Sequence, residues 1–128
     1  MLLTEYLSGL TNSIGEYAKT GLILSSELTI DSRTDKIGLI KGTILFVNES
    51  KLSFTEYLDL RYKTHKLAYA FHYQDKGGGM IFRYDNASHK PALSFADHKH
   101  VGQNTVQAEA PGLNLVLEEI ISLLLQKD

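Results

Sequence analysis

The sequence predicts an α+β fold, with an antiparallel sheet of about six strands, strongly curved or barrel-like, flanked by N-terminal and C-terminal helices. Three observations lead there. Apolar residues recur at spacings of three and four near the start, β-branched and aromatic runs divided by turn residues fill the middle, and helical spacing returns at the end. With 128 residues, 43% of them apolar, the chain can build one core, so residues 1–128 are read as a single domain.

Over residues 2–20, Leu3, Tyr6, Leu7, Leu10, Ile14, Tyr17 and Ala18 form one helical face, and Gly21 is the expected stop. "LILSSELTI" and "IGLIKGTILFV" then read as the first two strands, with "DSRTDK" as the turn between them. "NES", from Asn48 to Ser50, is a tight turn into "KLSFTEYLDL", where Leu52, Phe54 and Glu56 alternate with Ser53, Thr55 and Tyr57.

"KLAYAFHYQD" and "GMIFRYDN" form the next hairpin, joined by "KGGG", whose glycines accept positive φ. Pairing Asp75 with Met80 sets His72 opposite Arg83 on the more polar face; a slip of one residue would reverse that face. Beyond Asn86 no period is evident until "NTVQAEA", a candidate short strand. The final helix is expected to begin at Pro111 and to carry Leu113, Val116, Leu117, Ile120, Ile121 and Leu124 on one face. Leu115, Leu123 and Leu125 widen that stripe, which makes a homodimer or partner surface one expectation and deep burial the other.

Composition excludes several functions. The absence of cysteine removes disulfides, thiolate catalysis and cysteine zinc sites. A formal charge of −2 argues against a general duplex binder, although "RYKTHK" offers a local basic patch in Arg61, Lys63 and Lys66. No apolar run is long enough to span a bilayer, and the start lacks the pattern of a secretory signal, so the expected setting is cytoplasmic, with no membrane partner. No P-loop, Rossmann glycine pattern, G-x-S-x-G or H-E-x-x-H occurs.

The chemistry gathers in "FRYDNASHKPALSFADHKH", Phe82 to His100, with His72 on the preceding strand. Histidine exchanges protons near neutral pH, so His72, His89, His98 and His100 are candidate acids and bases. Two chemistries fit. In the first, His98 and His100 form an H-x-H metal pair, with Asp85, His89 or Asp97 completing the shell; H-x-H is a weak signal, and the intervening lysine adds a cation.

The second needs neither metal nor other cofactor, and is the expectation taken forward. One histidine removes the proton of a ribose 2′-OH, another protonates the departing 5′-oxygen, and cations stabilise the phosphorane. Arg83, Lys90 and Lys99 supply the cations, Asp85 orients a histidine or the arginine, and Tyr73 and Tyr84 are candidates for stacking on bases. Each has a bland alternative: a strand aromatic is usually core, and a strand-end aspartate usually serves a turn.

The order "EYLDL…YAFHYQD…GGGMIFRYDNASHKPALSFADHKH…LVLEEI" resembles the TumE family, the toxin component of bacterial toxin–antitoxin pairs, over roughly Lys41 to Ile121. Its most specific parts are "FRYDN" followed by a histidine, and the later "HKH". The resemblance implies a ribonuclease-like toxin with a cognate antitoxin, commonly a helix-turn-helix protein. It also brings in CRISPR-associated ring nucleases, small metal-independent proteins that open cyclic oligoadenylates by the same 2′-OH chemistry. The family pattern falls on His72, Arg83, Tyr84, Asp85, Asn86, His89, His98, Lys99 and His100. Ser88-His89-Lys90 stands where members often have Pro-His-His, and Ala96-Asp97 where they often have a proline and a histidine. RNA is therefore the first expected substrate and cyclic oligoadenylate the second. A non-catalytic nucleotide- or protein-binding module is the third reading, and the sequence leaves open which histidine is acid and which is base.

Overall fold

The computed structural model describes residues 1–87 and 96–126. Helix α1 (Leu3–Ala18) is followed by β1 (Ile23–Ser32), β2 (Ile37–Phe46), β3 (Lys51–Asp59), β4 (His65–Gln74), β5 (Met80–Asp85), β6 (His98–Val101), β7 (Asn104–Gln107) and α2 (Leu113–Leu125). The strands make one antiparallel meander in sequence order. Among the described residues no ladder joins β1 to β7, so the sheet stays open instead of closing into a barrel.

The α+β architecture matches the sequence expectation, with one strand more than the expected six. The extra strand is β6, which holds the H-K-H stretch, within the segment where the sequence shows no period. Four residues are too few for alternation to register as a period, and it is pairing with β5 and β7 that makes them a strand. The final helix starts at Leu113 instead of Pro111, whose buried carbonyl accepts a hydrogen bond from Lys66 Nζ at 2.6 Å.

Alternation divides the sheet into two faces. Ile40, Ile44, Phe46, Leu52, Phe54, Leu58, Tyr69, Phe71, Tyr73, Phe82 and Tyr84 are buried with residues of both helices in one core. Glu5 closes the start of α1 by accepting the Leu2 N–H at 2.8 Å, and Tyr17 of α1 donates to Glu118 of α2 at 2.7 Å. The turn at Asn48–Ser50 forms as expected, with Glu49 at φ 67° and Asn48 Oδ1 accepting the Ser50 N–H at 3.1 Å.

The core face also holds charge. Glu56, fully buried, meets Lys66 Nζ at 2.6 Å and accepts a hydrogen bond from Tyr6 Oη at 2.8 Å. This changes the reading of "RYKTHK". Lys66 is committed to Glu56 and Arg61 to Asp59, so among the described residues only Lys63 of the three cations has no ion pair.

Candidate active site

The site lies on the sheet face away from the helices, and strand register builds it. His72 of β4 pairs with Arg83 of β5, and Arg83 pairs with His100 of β6. One row therefore runs Ser53, His72, Arg83, His100, Thr105 across five strands. The row beside it runs Lys41, Thr55, Ala70, Asp85, His98, Gln107. Positions two apart on a strand share a face, so both rows point the same way.

The His72–Arg83 pairing is the expected one, although its local cause differs. A bulge after Tyr73 pairs Gln74, and not Asp75, with Met80. Asp75 instead organises the turn: its N–H donates to the Gly79 carbonyl at 2.9 Å, and its Oδ1 accepts the Gly79 N–H at 2.9 Å, with Gly78 at φ 90°.

Asp85 is the hub. It is buried, and its Oδ2 accepts from Arg83 Nε at 2.7 Å while its Oδ1 lies 2.5 Å from His98 Nε2. His100 Nε2 lies 3.4 Å from Oδ2, and the Ala87 N–H donates to Oδ1 at 3.2 Å. Burial by itself would raise the Asp85 carboxyl. The hydrogen bonds from Arg83 and Ala87, with the charges of His98 and Arg83, outweigh it and hold the group below its ordinary value, as a carboxylate.

The histidines differ in setting. His98 is 1% exposed, whereas the His100 side chain is 19% exposed and its Nδ1 lies 3.2 Å from Thr105 Oγ1. His72 Nδ1 is 3.4 Å from Arg83 Nη1. Partial burial, then the Arg83 charge, push His72 below the usual histidine range, against a hydrogen bond with Gln74 that acts the other way. His72 is accordingly kept neutral near pH 7, as a proton acceptor needs.

His72, Arg83, Asp85, His98 and His100 are thus brought together. His89 and Lys90 lie outside the described residues. Lys99 and Tyr84 form the intervening pair of the same ladder and face the helices, where Lys99 Nζ meets Glu119 Oε2 and Tyr84 Oη donates to Glu119 Oε1, both at 2.6 Å. Tyr73 is buried in the core, its hydroxyl 2.7 Å from Ser50 Oγ. Asn86, just past β5, binds the backbone of β4: its Oδ1 accepts the Tyr69 N–H at 3.1 Å and its Nδ2 donates to the Leu67 carbonyl at 3.4 Å. Asp97 accepts from Tyr69 Oη at 2.8 Å.

Asp85, His98 and His100 offer ligand atoms within 4.8 Å of one another, the geometry an ion would require. Arg83 already holds one oxygen of that carboxylate, which places a fixed positive charge where a metal shell would form. Proton transfer flanking an arginine suits the arrangement better.

A groove of about 390 Å³ adjoins the cluster, lined by Lys41, Ser53, Thr55, Ala70, His72 and Arg83 among others. Sequence reading missed Lys41, Ser53 and Thr55. The alternation of β2 and β3 was the available signal, since it puts these polar residues on one face with His72.

Among the described residues no helix is long and apolar enough to cross a membrane. A family model described as Toxin TumE matches residues 15–127, which include all seven strands and α2. No curated protein and no solved structure matches the chain.

Proposed function

Because the chain belongs to the TumE toxin family, we propose that it is a metal-independent ribonuclease that cuts RNA by attack of a ribose 2′-OH on the adjacent phosphorus. The observation that carries this reading is the row His72–Arg83–His100, two histidines on either side of one guanidinium. His72, held neutral, takes the 2′-OH proton; the 2′-oxygen bonds to phosphorus; the bond to the 5′-oxygen breaks, and His100 donates a proton to it. Arg83 stabilises the extra negative charge of the phosphorane. Products are a 2′,3′-cyclic phosphate and a 5′-hydroxyl. Asp85 orients Arg83 and His100 from behind, and buried His98 positions Asp85.

A cyclic oligoadenylate is the second reading, favoured because Lys41 and Arg83 are the cations lining the groove, few for a long polyanion. The proposed setting is the cytoplasm, with an antitoxin, of the helix-turn-helix type, as partner. Self-association through α2, where Leu115 and Leu125 are exposed, belongs to the same proposal.

The test is cleavage of labelled RNA and of cyclic tetra- and hexa-adenylate, with and without EDTA, by wild type, His72→Ala and His100→Ala. EDTA-resistant products with cyclic phosphate ends, and losses of about 10²-fold or more in kcat for each variant, are expected. Loss of activity on chelation would move the reading to a metal. Cutting of the rings alone would select the second substrate, and binding without turnover would leave a non-catalytic module.

A further inference from the structure

We propose that the groove beside the histidines is a subsite for a second phosphodiester of the strand being cut, with Lys41 as its cation. The inference rests on the ribonuclease reading. The groove has the reacting row at one end, through His72 and Arg83, and Lys41 at the other. Between them Ser53 and Thr55 present hydroxyls, which donate to phosphate oxygens, and Ala70 keeps the floor low because its side chain is a methyl.

Charge and spacing point to a neighbouring phosphate. Lys41 is exposed, and among the described residues no ion pair neutralises it. By contrast Lys66, Lys99 and Arg61 are each tied to a carboxylate. Arg83 is held over its own strand by Asp85, and Lys41 stands three strands away, roughly 14 Å across the sheet at the usual strand spacing. Two cations so placed serve two phosphates of one chain. A substrate with a phosphate on each side of a nucleotide should therefore bind better than one with the scissile phosphate alone.

The experiment compares a dinucleotide, which has one phosphodiester, with an oligonucleotide containing the same step, and adds binding of an all-deoxy oligonucleotide that has no attacking hydroxyl. Wild type is expected to show a KM lower by about tenfold for the oligonucleotide, and Lys41→Ala to lose most of that advantage. Lys41→Arg should restore it, and Lys63→Ala, a change at an exposed cation elsewhere, serves as the control. The log–log salt slope of deoxy-oligonucleotide binding should become shallower by about 0.7 in Lys41→Ala. If cleavage proceeds and the KM ratio is the same in Lys41→Ala as in wild type, the subsite is overturned and the ribonuclease reading stands. If nothing is cleaved but Lys41→Ala weakens deoxy-oligonucleotide binding with that slope change, the groove stands and the ribonuclease reading fails.

Discussion

Asp85 Oδ1 and His98 Nε2 lie 2.5 Å apart, and both side chains are withdrawn from solvent. The pair joins the last residue of β5 to the first residue of β6, so it fastens the strand that delivers His100. A buried group with such a partner contributes through what its loss would strand: the remaining polar atom has no water to turn to.

Replacement of Asp85 is therefore expected to weaken the fold as well as the chemistry. Asp85→Ala should lower the unfolding free energy by about 3 kcal/mol, and Asp85→Asn, which keeps shape and one acceptor oxygen, by about half as much. Urea unfolding followed by circular dichroism measures both. Equal losses in the two variants would show that the carboxylate's charge and second acceptor oxygen, and not its shape, matter.

Acid should act on two groups in the same direction. Asp85 has a folded pKa below its unfolded one, so its contribution is present above the ordinary carboxylate range and is lost as pH falls through the lower folded value. His72 is also depressed, so the unfolded chain takes up its proton first and stability declines as pH drops from roughly 6.5 toward the folded value. The His72 ring, followed by NMR, should titrate below that value. In Arg83→Gln its midpoint should rise only partway, because burial is the larger cause of the depression. An unchanged midpoint would remove Arg83 as a contributor.

Gly42 tests the packing beneath the groove. A Cβ there would overlap the Phe54 ring and approach Leu28 Cδ2 to 2.9 Å. Phe54 is stacked on Phe71 with centroids 5.3 Å apart, so the ring has little freedom to yield. Gly42→Ala is expected to cost about 2 kcal/mol. A thermal melt of the variant that matched wild type would mean the aromatic stack shifts freely.

Much of this molecule was legible in local pattern. Both helices, the hairpin at Asn48–Ser50 and the division of β4 into Tyr69, Phe71 and Tyr73 against Ala70 and His72 follow from periodicity and turn chemistry. The pairing of His72 with Arg83 is expected from the sequence, but through an Asp75–Met80 pairing that does not form; the bulge after Tyr73 is what restores it. What local pattern missed has a common cause. β6 is too short to alternate visibly, so the sequence could not tell the face of Lys99 from that of His98 and His100. Ladder parity then sends Lys99 and Tyr84 to Glu119 and leaves Arg83 between two histidines.

The sequence by itself determined the elements other than β6, their antiparallel succession, the residue types available for proton transfer, and the family. Only the tertiary structure decided which of those residues meet. Antiparallel register across β2 to β7 sums five pairings, each free locally to shift by one residue and flip a strand's faces. Burial of one apolar face against two helices removes that freedom, and the same constraint collects His72, Arg83, Asp85, His98 and His100 beside Lys41 on the other face.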